Sequence, residues 1–188
     1  MRTGVRIPFT ATVLGAWCII LLAGAASCGK EQEAERLKNQ LDDLEKFLKT
    51  KADTVYHEGD LRFAPSKPGR PMAPEEGQAV QLRYVLFMLK GQTATPLETN
   101  DTAWAKAYNL RVLPGNQGPL RYVYGHTKAF KGLAMGLQAF AQQNGEGWLG
   151  IPSYLAFSKS KLGAVKPHTP LLCLWHLSPA TPQSGQGE

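Results

Sequence analysis

The strongest metal ligands and nucleophiles in this 188-residue sequence are three cysteines and four histidines. The histidines are His57, His126, His168 and His176. They lack the close spacing of a metal site, and Cys173 lies in an apolar run typical of a buried, unreactive thiol. No P-loop or dinucleotide-binding glycine motif is present. The sequence therefore predicts no metal and no cofactor, so any catalysis must depend on how a binding site holds its ligand.

The amino terminus has the pattern of an export signal. Arg2 and Arg6 precede an uncharged, mostly apolar run that ends in Ala25-Ala26-Ser27-Cys28. This pattern resembles a bacterial lipoprotein signal, which implies a signal peptide over 1–27 and acylation of Cys28 on its thiol and new amino terminus. An uncleaved membrane-spanning helix is the alternative, because about 20 apolar residues can cross a bilayer.

Lipidation would anchor the protein in the bacterial cell envelope, and we expect the periplasmic face of the outer membrane. The charged segment 30–33 resembles the surface-export signals of some Bacteroidetes lipoproteins. Residues 77–177 hold ten Lys or Arg against three Asp or Glu, which permits acidic lipids or clients. Export and the lack of a nucleic-acid recognition motif predict that no nucleic acid is bound.

Residues 28–53 form a predicted helical stalk that begins with the acylated cysteine. They are rich in charged residues and contain a narrow apolar seam. The seam consists of Leu37, Leu41, Leu44 and Leu48. Its spacing is typical of a short coiled coil, and two heptads are marginal alone. Docking on the protein's own body and pairing with another copy both remain open, and we favour a stalk that spaces the body from the lipid.

The body, residues 54–179, alternates short strands with one amphipathic helix. The predicted strands are 55–59, 60–63, 80–89, 119–125, 148–152 and 171–177, and a proline-rich loop is predicted over 64–74. Residues 129–140 place Phe130, Leu133, Leu137 and Phe140 on one helical face. This order predicts an α+β domain, an antiparallel sheet packed on one helix, followed by a disordered tail over 180–188.

Four segments of the body carry motifs in a fixed order. Pro74–Tyr84 matches Pro-x-x-Gly-x-x-Val-x-Val-x-Tyr, Phe130–Leu137 matches Ile-x-Gly-(Trp/Leu)-x-x-Gly-Leu, Ile151–Phe157 matches Ile-Pro-x-x-Leu-Ala-Tyr, and Lys166–Leu171 matches Pro-Pro-x-x-x-Leu. Together they resemble the FKBP-type peptidyl-prolyl isomerase family. The resemblance implies a curved five- or six-stranded antiparallel sheet wrapped on one helix, with a hydrophobic cleft between them.

The resemblance also implies the residues of that cleft. The catalytic residues would be Tyr84, Phe130, Leu133 and Phe157, and the substrate-binding residues Leu120, Ala129 and Cys173. Phe157 replaces a tyrosine whose hydroxyl donates to the bound carbonyl. Ala94-Thr95 falls where the family has Phe-Asp, which removes a wall aromatic and a carboxylate. The segment 91–119 is longer than the family loop, and its Trp104, Tyr108 and Leu110 could refill or cover the cleft.

Two functions follow as hypotheses. The first is a peptidyl-prolyl cis-trans isomerase that assists the folding of exported proteins, with proline-containing polypeptides as clients. The second is a non-catalytic peptide-binding or assembly subunit of a cell-envelope complex, suggested by the replaced cleft residues. Both rely on an apolar cleft and on membrane attachment through Cys28.

Overall fold

A computed structural model describes residues 13–71, 74–112, 117–157 and 165–180, and for 13–28 and Gln143 it describes the backbone only. The helices are α1 (Val13–Lys49), α2 (Thr102–Ala107) and α3 (Lys131–Phe140), with a 3₁₀ turn at Ser153–Leu155. The strands are β1 (Tyr56–Glu58), β2 (Leu61–Lys67), β3 (Arg70–Pro71), β4 (Ala79–Lys90), β5 (Thr93–Thr99), β6 (Leu120–Val123), β7 (Gln142–Gln143), β8 (Glu146–Ile151) and β9 (Leu171–Pro179).

Seven strands form one antiparallel sheet in the order β1-β2-β8-β9-β4-β5, and β6 pairs with the start of β4. This confirms the predicted α+β class. The sheet has one strand more than the upper number expected. The predicted loop over 64–74 was wrong in two places. β2 continues to Lys67 and passes Pro65 at a register shift, where a strand tolerates proline, and β3 pairs with β7 within the same range.

One face of the sheet, here called the inner face, is covered by α3. Side chains alternate along β4, so that Leu82, Tyr84 and Leu86 point to the inner face. From α3, Leu133 and Leu137 complete this core. The predicted amphipathic helix therefore packs as its apolar face required.

Two glycines let α3 approach β8 closely. A Cβ at Gly132 would lie 2.3 Å from Ile151 Cγ2 and 2.9 Å from the Leu155 carbonyl oxygen. A Cβ at Gly136 would lie 2.3 Å from Leu149 Cδ2. Real Cβ atoms do not approach so closely, and a backbone carbonyl cannot move aside as the end of a leucine side chain can, so glycine is required most strictly at Gly132.

The other, outer face of the sheet carries a second apolar cluster. It consists of Leu44, Phe47, Leu48, Ala64, Val85, Phe87, Leu89, Leu172 and Leu174. The last turns of α1 supply three of these residues, so this part of the helix docks on the protein's own sheet. Docking on the body is one of the two arrangements that the leucine spacing leaves open. Glu45 adds polar contacts, since its Oε2 lies 3.0 Å from His57 Nε2 and 3.5 Å from Arg62 Nε.

The chain divides into two compact units, residues 1–39 and 40–188. The described part of the first unit is helical from Val13. Among the described residues, no helix combines the length and apolar character needed to cross a membrane. Residues 1–12 of the predicted signal peptide, the side chains of residues 13–28, which include Cys28, and residues 181–188 of the predicted tail lie outside what the structure describes.

Candidate functional site

A cleft of about 530 Å³ opens on the inner face, where the start of α3 meets the sheet. Its lining is mainly apolar and aromatic. The lining residues are Tyr84, Leu86, Leu97, Glu98, Leu120, Lys128, Ala129, Phe130, Leu133, Phe157 and Val165. Six of the seven cleft residues inferred from the sequence are thus brought together.

Tyr84 forms a half-buried wall on β4. Its hydroxyl donates to Glu98 Oε1 at 3.1 Å. Burial, and then the neighbouring Glu98 carboxylate, raise the pKa of the Tyr84 hydroxyl far above its usual range. The hydroxyl therefore stays protonated, and its proton is directed at Glu98.

Glu98 corrects the expectation that the cleft lacks a carboxylate. The register of β4 against β5 shifts between Leu86, which faces Glu98, and Phe87, which faces Pro96. The extra residue is Leu97, a bulge that brings Leu97 and Glu98 together in the lining. Ala94 instead packs against the outer cluster. The expected position, Ala94-Thr95, was wrong because the sequence does not show the bulge.

The first residues of α3 supply the floor of the cleft and a hydrogen-bond donor. Leu133 is 7% exposed, and Phe130 is the residue that caps the helix. The Phe130 carbonyl accepts from Leu133 and Ala134. Among the described residues, its own N–H has no acceptor, as is usual for the first amides of a helix. This amide is a candidate donor to a ligand carbonyl.

Phe157 and Phe130 form an aromatic pair in the lining, with ring centroids 5.5 Å apart and planes inclined by 45°. Leu120 on β6 is 43% exposed, and Ala129 is half-buried beside Phe130. Phe157 brings no hydroxyl to the cleft. The donor that the resemblance assigns to its position is therefore missing.

Cys173 does not line the cleft. It is fully buried in the inner core, across the ladder from Leu86. Burial, and then Glu98, raise the pKa of its thiol far above the usual value. The thiol is therefore protonated and unreactive, as the apolar run around it indicated.

In the described part of the long segment after β5, Trp104, Tyr108 and Leu110 do not line the cleft. Asp101 caps α2 by accepting from the Trp104 N–H at 2.9 Å. Trp104, Tyr108 and Leu110 pack against the outer cluster, where the Tyr108 ring meets Phe87 edge-on at 5.1 Å. The expectation for these three side chains was wrong, because α2 folds to the opposite face of the sheet.

Five lining residues were not found from the sequence: Leu86, Leu97, Glu98, Lys128 and Val165. Leu86 could have been found, because it is two residues after Tyr84 on the same strand and so shares its face. Leu97 and Glu98 lie at the bulge of β5, Lys128 follows a turn after β6, and Val165 lies outside the helices and strands given above, so none of the four has a periodic signal in the sequence. Within the described ranges, no group of three His, Cys, Asp or Glu side chains is placed to hold a metal ion.

No protein-family model matches the sequence, and no curated protein matches it. Solved structures do match in fold. The N-terminal domain of FKBP42 from Arabidopsis thaliana has a TM-score of 0.51 and 18% identity, over 67% of this chain and 91% of that chain. FkpA from Escherichia coli has a TM-score of 0.50 and 18% identity, over 85% and 68%. A peptidyl-prolyl cis-trans isomerase from Pseudomonas syringae has a TM-score of 0.50 and 18% identity, over 75% and 92%. The chain therefore has an FKBP-like fold.

Proposed function

We propose that this protein binds X-Pro segments of polypeptides in the inner-face cleft and accelerates their cis-trans isomerisation. The observation that carries the proposal is the convergence of Tyr84, Leu133 and the Phe130–Phe157 pair around one apolar cleft. The FKBP-like fold supports the same function, since a solved structure with this fold is a peptidyl-prolyl cis-trans isomerase from Pseudomonas syringae.

The chemistry is a rotation and needs no covalent step. The peptide C–N bond resists rotation by about 18–20 kcal/mol, because twisting it destroys amide resonance. The twisted amide has a smaller dipole than the planar one, so an apolar cleft favours it relative to water. Leu133 and the two phenylalanines would surround the prolyl ring, and the Phe130 N–H would hold the substrate carbonyl.

The test uses the full chain in detergent micelles and a chromogenic proline tetrapeptide. Leu133→Lys places a charge in the floor of the cleft and should abolish catalysis, whereas Met135→Lys changes an exposed side chain of the same helix and should not. Equal isomerisation rates for the wild type and Leu133→Lys, both correctly folded, would contradict the proposal that the cleft catalyses isomerisation.

We further propose that the protein acts on exported polypeptides from a lipid anchor on Cys28, in the bacterial cell envelope. The lipoprotein-like segment Ala25–Cys28 supports this assignment. Cys28→Ala should abolish metabolic labelling with radioactive palmitate and release the protein from membranes. Cys18→Ala is the matched control, because Cys18 lies within the predicted signal peptide and its loss should change neither.

A non-catalytic role is favoured by one observation: Phe157 carries no hydroxyl in the cleft. In that role the cleft would hold a peptide of an envelope complex without turning it over. Proline-peptide binding measured by calorimetry, combined with no rate enhancement at saturating protein, would favour this function over isomerisation. Loss of binding in Leu133→Lys would place the peptide in the cleft.

A further inference from the structure

We infer that Gln40, near the end of α1, is a positioning residue for the cleft. Its side-chain amide joins the two chain segments that carry Phe157 and Val165 into the lining. The inference rests on the proposed function, in that it assigns a role in ligand binding to a residue outside the cleft.

The carbonyl oxygen of the Gln40 side chain supports the segment before Phe157. Gln40 Oε1 accepts a hydrogen bond from the Ser153 N–H at 2.9 Å. Ser153 begins the 3₁₀ turn, where the first N–H groups have no partner within the turn. The turn continues through bonds from Leu155 N–H to the Pro152 carbonyl and from Ala156 N–H to the Ser153 carbonyl. Phe157 follows directly, so Gln40 caps the turn that places its ring.

The NH₂ group of the Gln40 side chain supports the segment after Val165. Gln40 Nε2 donates to the His168 carbonyl at 2.9 Å. His168 has a φ of 58°, a left-handed conformation that costs energy for a residue other than glycine. The same turn is tied to β4, because the Leu89 N–H donates to the Pro170 carbonyl at 3.0 Å. Gln40 therefore holds a strained turn three residues beyond a lining residue.

Burial makes this bridge consequential. Gln40 is only 7% exposed, and both ends of its amide are used. Removing the amide would take this acceptor from the buried Ser153 N–H, which is the costly case for a hydrogen bond, and would also remove one tie to the half-buried His168 turn. The two segments would relax, and with them the Phe130–Phe157 pair. Small displacements of groups that position a ligand can lower catalytic efficiency many-fold.

The test compares Gln40→Met, which keeps the length of the side chain and removes both hydrogen bonds, with the wild type. The control is Leu44→Ala, which weakens the same helix against the outer face without touching these segments. At a temperature where all variants are fully folded, Gln40→Met should lower kcat/KM for a proline peptide about tenfold. Leu44→Ala should leave it unchanged within about twofold.

Amide hydrogen exchange gives a readout that does not depend on turnover. In Gln40→Met the amides of Leu155 and Ala156 should exchange at least about tenfold faster, while amides of β4 keep wild-type rates. Local exchange and kcat/KM both equal to those of the wild type would overturn the role of Gln40. If no variant, including the wild type, binds or isomerises a proline peptide, the proposed function fails, and the exchange result still decides whether Gln40 holds the segments.

Discussion

The cleft contains two aromatic positions at which a hydroxyl could meet a substrate carbonyl, and they differ in what they offer. Tyr84 has a hydroxyl, but its proton is directed at Glu98. Phe157 has none. Two other described lining residues bring donors, Phe130 through its backbone N–H and Lys128 through its ammonium group. A preorganised donor at a developing charge is worth about 2–4 kcal/mol of transition-state stabilisation, so we expect a slow isomerase.

At this scale the prediction is a gain of function. Phe157→Tyr should raise kcat/KM at least tenfold, because its hydroxyl would supply a second donor within the cleft. Coupled cleavage of a proline tetrapeptide measures the rate. Tyr154→Phe is the control, since its hydroxyl donates to Asp60 at 2.8 Å and lies outside the lining. An unchanged rate for correctly folded Phe157→Tyr would show that this position does not contact the carbonyl.

At the scale of the elements, the cleft depends on the close approach of α3 to β8. A Cβ at Gly132 would overlap Ile151 and the Leu155 carbonyl oxygen, and its neighbour Leu133 forms the floor. The same contact joins α3 to the 3₁₀ turn that precedes Phe157. One backbone-to-backbone approach therefore sets both the floor and one aromatic wall.

Gly132→Ala should lower the free energy of unfolding by about 1–3 kcal/mol, because the added methyl group overpacks the junction with a backbone carbonyl. This loss should outweigh the gain in helix propensity, which is at most about 1 kcal/mol. Urea unfolding followed by tryptophan fluorescence provides the measurement. Ala139→Leu, at an exposed position of α3, should leave stability within about 0.5 kcal/mol. Equal stabilities of Gly132→Ala and the wild type would mean that the helix can move away without cost.

At the scale of the compact unit 40–188, the sheet is covered on both faces. The inner core contains the cleft, and the outer cluster is built by the end of α1 and the segment around α2.

Two tyrosines of this unit have raised pKa values and so ionise less readily than a free tyrosine. Burial, together with a weaker effect of Tyr122, raises the pKa of Tyr124 to about 12. Burial, followed by the bond to Asp60, raises the pKa of Tyr154 to about 12.

These shifts predict a loss of stability in alkali. A tyrosine whose pKa is higher in the folded state than its usual 10.0 holds its proton while the unfolded chain releases it. The stabilisation is complete below about pH 10 and falls as the pH rises from about 10 to 12. Urea unfolding across this range should show the decline. Tyr124→Phe should make it shallower and should also relieve a buried hydroxyl that has no partner among the described residues. A decline of equal slope in that variant would contradict the assignment to Tyr124.

The sequence by itself determined the elements whose side chains repeat at a local period. The alternation at the start of β4, the short apolar run of β9 and the apolar face of α3 predicted two strands and a helix, because each pattern matches the burial of that kind of element. The ordered motifs then placed Tyr84, Leu133 and Phe157 in one cleft. The strands and the helix follow from residues close together in the chain, where spacing decides which side chains share a face, whereas the cleft follows from the family resemblance of motifs far apart in the chain.

Only the tertiary structure decided which face the remaining segments cover. A single bulge residue, Leu97, brings Glu98 into the cleft, and α2 carries its aromatic residues to the outer face. Gln40 reaches Ser153 across 113 residues of chain and His168 across 128. Contacts of this kind depend on where distant segments meet after folding, and no periodicity in the sequence records such a meeting.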